Sequence, residues 1–192
     1  MKVVAFNSSP RKGGNTELLI GHVFDELQKE GIETELVQIG GKAIRGCNAC
    51  MICREKQNQR CAIEGDVVND CIAKMIEADG IILASPVYFA DVTPELKALI
   101  DRAGYVAGAN DNFLKRKVGA AVIAVRRGGA IHTLDTIMHF FLLRQMIVPG
   151  ASYWNFAFGR EKGEVENDAE GLRTMQTLGE NMAWLLKKIG RE

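Results

Sequence analysis

Three unbroken apolar runs stand out along the chain: Val3-Val4-Ala5-Phe6, Gly80-Ile81-Ile82-Leu83-Ala84 and Val118 to Val125. Such runs are the pattern of strands buried on both faces. Between them the period changes. Leu19, Val23 and Leu27, with Ile20 and Phe24 beside them, recur at helical spacing. Ile32, Thr34 and Leu36 alternate with Glu33 and Glu35, which predicts a half-exposed strand at a sheet edge. Gly40-Gly41 opens an irregular segment that runs to about Gly65. Asp66 then caps a helix with stripes at Val67, Cys71, Met75 and at Val68, Ile72, Ile76, so Cys71 reads as a small buried hydrophobe. Thr93-Pro94 reads as the N-cap and first position of a helix through Leu96, Leu99 and Ile100. A further helix points Ile131, Leu134, Met138 and Phe141 at the core. Val148 to Phe156 hold a last strand, and Leu172, Met175, Leu178, Met182 and Leu185 mark the closing helix.

Five βα units in succession predict an α/β fold, a doubly wound parallel sheet with helices on both faces. The polar second strand belongs at an edge, which favours the order 2-1-3-4-5 and a switch point between the first and third strands. At 192 residues the expectation is one domain over residues 1–192, with a cysteine-rich insertion at about 42–65. Twenty-four basic residues balance 24 acidic ones, so no field favours nucleic acid or an anionic membrane. No apolar stretch is long enough to span a bilayer, and a core strand starting at residue 3 leaves no place for a signal peptide. Five cysteines, four of them between positions 47 and 61, do not resemble a secreted disulfide framework. A reducing cytoplasm is the expected setting.

The loop after the first strand carries the clearest binding chemistry. Phe6-Asn7-Ser8-Ser9-Pro10-Arg11-Lys12-Gly13-Gly14-Asn15-Thr16 leads from a buried strand into a helix, whose free N–H groups and positive dipole end favour a phosphate. Ser8, Ser9, Asn15 and Thr16 can add neutral hydrogen bonds and Arg11 a charge-assisted one, while Gly13 and Gly14 permit tight turns. Neither G-x-G-x-x-G nor G-x-x-x-x-G-K-[ST] is present, so a terminal monophosphate such as that of FMN fits better than a pyrophosphate or triphosphate. An ordinary polar βα turn is the alternative. Ser85-Pro86-Val87-Tyr88-Phe89-Ala90 leaves the same switch point. There Tyr88 and Phe89 can pack on an isoalloxazine while backbone around Pro86 and Val87 meets its polar edge; the alternative is that both aromatics close the core.

The second constellation is Cys47-x2-Cys50-x2-Cys53-x7-Cys61. A [4Fe–4S] cluster takes four thiolates, and a tight C-x2-C-x2-C run can wrap three of its irons. Structural zinc more often uses two separated C-x2-C pairs. Free or redox-active thiols remain a further reading. His132, Asp135 and His139 share one helical face, which is solvated or lies at a subunit contact more often than it holds a metal. No G-x-S-x-G or H-E-x-x-H occurs, so hydrolase chemistry has no support, and no side chain stands out as a general acid or base.

Ser8 to Thr16, together with Ser85-Pro86-Val87-Tyr88-Phe89 and Leu96-Lys97-Ala98-Leu99-Ile100-Asp101-Arg102, resembles the NAD(P)H-dependent FMN reductase family. The resemblance implies a flavodoxin-like fold and places Arg127, Gly128 and Gly129 where relatives carry a Gly-rich loop against the flavin. The compact cysteine motif is similar to that of the iron–sulfur flavoproteins within this family. That likeness implies a [4Fe–4S] cluster beside FMN and electron exchange with a ferredoxin-like carrier or NAD(P)H. It further implies a small-molecule acceptor such as dioxygen or peroxide, and a homodimer or homotetramer with flavin near the subunit boundary. The rivals are a cluster-free NAD(P)H:FMN or quinone reductase and, in another class, a flavodoxin-like electron carrier or flavin-binding regulator.

Overall fold

Three of the five strands carry an unbroken apolar run, and each lies inside the sheet. In the computed structural model, which describes residues 1–190, β1 (Lys2–Asn7), β3 (Gly80–Pro86) and β4 (Val118–Val125) are the central strands. β2 (Glu33–Gln38) and β5 (Phe156–Phe158) flank them in the all-parallel order β2-β1-β3-β4-β5. The expected fold class and strand order are those observed. Because every strand runs the same way, all five carboxyl ends share one edge, and the loops that follow them meet there.

The helices cover both faces. α1 (Asn15–Lys29) and α6 (Ala169–Ile189) pack on one side through Leu19, Val23, Leu27, Met175, Leu178 and Met182. α3 (Val68–Glu77), α4 (Pro94–Ala109) and α5 (Ala130–Leu143) cover the other through Ile72, Met75, Leu99, Val106, Ile137 and Phe141. Each fully buried aliphatic or aromatic side chain contributes about 1.5–3 kcal/mol, so both layers are held mainly by burial. Thr93 caps α4, its hydroxyl oxygen accepting from the Leu96 N–H at 3.4 Å, with Pro94 at the first helical position as the sequence predicts. Cys71, on the inner face of α3, is buried in the core. No described helix is long and apolar enough to cross a membrane.

Three local expectations differ from the structure. The last strand is Phe156–Phe158 rather than Val148 to Phe156: Pro149 and Gly150 interrupt the run, and only Ile147 bridges to Val118 before them. In α5 the core face is Ala130, Leu134, Ile137 and Phe141, so Ile131 is exposed and Met138 only half-buried. On β2, Leu36 is exposed while the Glu35 carboxylate is tucked between Lys2 and Lys74. These two partners outweigh burial and hold the Glu35 carboxyl below its ordinary range.

Candidate functional site

At the carboxyl edge the chain crosses from β1 into α1 over residues 8–14. Ser8 is buried, and both its N–H (3.0 Å) and its hydroxyl (2.9 Å) donate to the Ala84 carbonyl. This joins the ends of β1 and β3 at the switch point. Ser9 donates its N–H to Asn7 Oδ1 at 3.0 Å, and its hydroxyl oxygen accepts from Arg11 N–H at 3.3 Å. The first intrahelical bond runs from Leu18 N–H to the Gly14 carbonyl, so the N–H groups of Asn15, Thr16 and Glu17 precede the helical ladder. Glu17 turns its carboxylate onto the Gly13 N–H at 2.7 Å, an internal anion on this positive helix end. Arg11 is exposed and reaches the Arg160 carbonyl at 3.1 Å, while Thr16 is buried in the first turn.

Neighbouring loops close around this cradle. A Cβ on Gly40 would lie 2.3 Å from the Ser9 carbonyl carbon and 2.4 Å from the Ser8 oxygen, so only glycine lets the end of β2 approach. Asn15 donates to the Glu161 carbonyl at 2.9 Å and accepts from the Gly163 N–H at 2.8 Å, which brings the segment after β5 over the loop. Sequence reasoning missed this segment, because nothing at Arg160 to Gly163 forms a recognisable motif.

The loop after β3 is a tight hairpin. Tyr88 and Asp91 exchange both backbone hydrogen bonds, at 2.8 and 2.9 Å. Phe89 (φ 48°) and Ala90 (φ 64°) occupy the two left-handed corner positions, where Asn-Gly is the usual choice. Phe89 is fully exposed and Tyr88 is 43% exposed, so neither ring closes the core. Pro86 and Val87 are half-buried, and the Val87 N–H donates to the Ala124 carbonyl at 3.1 Å. Arg127 and Gly128 are exposed; Gly129 (φ 90°) would place a Cβ 2.8 Å from Ala90 Cα and 3.1 Å from Val87. The loops after β3 and β4 are therefore in contact. An aromatic tip and a donor-rich cradle on one edge fit a flat, phosphate-bearing cofactor, and FMN has that form.

The cysteine loop leaves the same edge after β2 but runs back along the flank of α4. Cys47 and Cys50 are exposed, whereas Cys53, in the short helix α2 (Ile52–Lys56), and Cys61 are half-buried. All four line one cavity of about 20 Å³, walled by Met51, Ile63, Arg102, Tyr105 and Val106. Arg102 stands eight residues beyond Pro94, roughly 12 Å along the helix from the loop that carries Tyr88. Ala49 (φ 52°), Met51 (60°), Gln57 (43°) and Gln59 (59°) all adopt left-handed backbone, a concentration of strain that marks functional loops. Burial pushes the Cys53 thiol up, and the nearby Cys61 and Cys50 add to it. Among the described residues no three His, Cys, Asp or Glu side chains converge on a point that would hold a single metal ion. A cubane differs in presenting four separate irons to four thiolates. The donor set, four cysteines on one cavity, fits such a group in kind.

His132, Asp135 and His139 are all exposed on α5 and form no metal-binding group. A wide groove of about 730 Å³ lies between α4 and α5, lined by Lys97, Asp101, His139 and Arg144, and meets the cysteine cavity at Tyr105. The residue that the sequence least advertises is Arg102, the last of the run Leu96 to Arg102. It is 1% exposed and reaches the cysteine loop.

Fold and edge loops together define a flavodoxin-like flavoprotein. The WrbA-like flavodoxin from Agrobacterium tumefaciens superposes with a TM-score of 0.68 over 97% of each chain, at 17% identity. An iron–sulfur flavoprotein of Methanocaldococcus jannaschii is 40% identical over 98% of this chain and 99% of its own length. One of Methanosarcina thermophila is 36% identical over 98% of this chain and 97% of its own. The model of the NADPH-dependent FMN reductase family matches residues 1–161, and the chain belongs to that family, in the group of the iron–sulfur flavoproteins. It is a flavin-dependent oxidoreductase that uses FMN.

Proposed function

We propose that the protein passes electrons between FMN at the β1–β3 switch point, a [4Fe–4S] cluster held by Cys47, Cys50, Cys53 and Cys61, and an external redox partner. What supports the cluster is one observation: four cysteines from a strained loop line a single cavity. The iron–sulfur names of the relatives agree with it. Bound there, FMN would supply two-electron and one-electron exchange, and the cluster exchange of single electrons.

The chain's own contribution is binding and orientation. Helix-start N–H groups at Asn15 and Thr16, with Arg11, would hold the phosphate. Phe89 and Tyr88 would cover one face of the ring, and the Arg127-Gly128-Gly129 loop would line its edge. Cys47, Cys50, Cys53 and Cys61 would give up their protons on binding iron. A ferredoxin-like carrier or NAD(P)H would deliver electrons to this centre.

A cluster-free NAD(P)H:FMN or quinone reductase is favoured by a different observation, the exposure of Cys47 and Cys50 beside a cavity of only about 20 Å³. Absorption of protein purified without oxygen separates the two. The proposal expects flavin bands on a broad cluster absorption that falls on reduction. Flavin bands alone would leave the plain reductase.

A further inference from the structure

The Arg102 guanidinium holds both ends of the cysteine loop at once. Its Nη1 donates to the Arg45 carbonyl at 3.1 Å, just before Cys47, and to Asp66, while its Nη2 donates to the Ile63 carbonyl at 2.7 Å, just after Cys61. Its Nε donates to Cys61 Sγ at 3.2 Å. Arg102 and Asp66 side chains are 0% and 4% exposed, so these bonds act in a low-dielectric setting. Asn69, also buried, fixes the Cys61 backbone by accepting from its N–H at 2.8 Å and donating to its carbonyl at 3.0 Å. Thus the backbone and sulfur of Cys61 are fixed by neighbouring side chains, whereas Cys47 and Cys50 are exposed.

We infer that Arg102 is a positioning residue for the iron–sulfur centre: it clamps the cysteine loop around Cys61 and, through its N–H···S bond, raises the cluster's reduction potential. The inference rests on the cluster reading given above. Its physical basis is charge. Reduction adds an electron to a thiolate-ligated cluster, and a hydrogen bond and positive charge at one sulfur stabilise the more negative state. Asp66 offsets part of that charge, yet it lies on Nη1, away from the sulfur that Nε faces. Lysine cannot replace the group. An ammonium is a compact point charge and cannot meet four acceptors spread around a planar fork.

The test compares wild type with Arg102→Lys and with the double variant Arg102→Gln, Asp66→Asn, which removes both buried charges so that neither is stranded. FMN binding and circular dichroism report folding independently of the cysteines. On oxygen-free, iron-loaded protein, an EPR-monitored titration measures the cluster midpoint. On iron-free protein, amide hydrogen exchange of residues 45–63 measures the clamp. Loss of one charged hydrogen bond is expected to shift the one-electron equilibrium about tenfold, a midpoint about 59 mV more negative. Exchange in the loop is expected to quicken at least about tenfold with FMN still bound. An unchanged midpoint overturns the tuning role, and unchanged exchange overturns the clamp. Wild type without iron overturns the cluster reading and the tuning role with it, and the clamp is then judged on the exchange alone.

Discussion

The Ser8 hydroxyl donates to the Ala84 carbonyl at 2.9 Å, and that same carbonyl already accepts the Ser8 N–H at 3.0 Å. A serine hydroxyl has one proton, so the Ser8 proton is committed to joining β1 and β3. Ser8→Ala removes a buried bond without orphaning the carbonyl. Chemical denaturation should show a loss of about 0.5–1.5 kcal/mol. FMN affinity should change by less than about threefold, under 1 kcal/mol. A tenfold fall in affinity at unchanged stability would instead make Ser8 a phosphate donor.

Arg11 is different, since its guanidinium is exposed and spends one donor on the Arg160 carbonyl. Its remaining donors are free to meet a phosphate. Arg11→Ala should weaken FMN by about 1.5–3 kcal/mol, the range for a hydrogen bond to a charged group. Riboflavin, which lacks the phosphate, should lose nothing. Equal losses for both ligands in calorimetric titration would remove Arg11 from the phosphate site.

Phe89 is held at a φ of 48° while fully exposed, so its conformation costs energy and its ring gains no packing within the chain. Phe89→Gly should leave the melting temperature unchanged or raise it, since left-handed backbone costs a non-glycine residue about 1–2 kcal/mol. The same change should weaken FMN and alter flavin fluorescence. A lowered melting temperature with unaltered flavin would show that the ring packs within the fold.

Asp66 carries a pH dependence. Burial works against its charge, but hydrogen bonds from Arg102, Val68 and Arg45 outweigh it and hold the carboxyl below its usual range. A depressed carboxyl contributes fully above its unfolded pKa, about 3.9, and loses that contribution as pH falls through the lower folded value. Arg102 remains charged throughout. Asp66→Asn should therefore cost about 3–5 kcal/mol at neutral pH by stranding the guanidinium. Denaturation midpoints should show that gap narrowing as the solution is acidified below about pH 4. A gap independent of pH would mean that Asp66 acts by shape alone.

The central strands were legible because unbroken apolar runs such as Val118 to Val125 have few other uses, and the cradle because strand, polar loop and helix follow one another directly. The last strand was not. Val148 to Phe156 is apolar enough for a strand, but Pro149 has no N–H to pair and Tyr153 and Trp154 turn outward. In α5 the stripe was misphased at one end, since Ile131 and Ala130 are adjacent and only packing decides which faces in. Arg102 was hidden for a further reason. An arginine on an amphipathic helix reads as surface until Asp66, 36 residues away, is folded against it. The cysteines were visible as a motif, whereas their wall of Arg102, Tyr105 and Val106 is a product of tertiary packing.

Iron and acid-labile sulfide, measured on oxygen-free protein with full FMN occupancy after growth with ample iron, decide whether the four cysteines hold a cluster. About four of each per chain are expected. Serine at Cys47, Cys50, Cys53 or Cys61 should strip or remodel the cluster while FMN remains, because the phosphate and ring loops are separate elements. Cys71→Ser should leave the iron untouched and cost only packing, as burial pushes that thiol up to about 12 and keeps it a neutral part of the core. Iron near zero in the wild type would rule out the cluster and leave an FMN reductase without one.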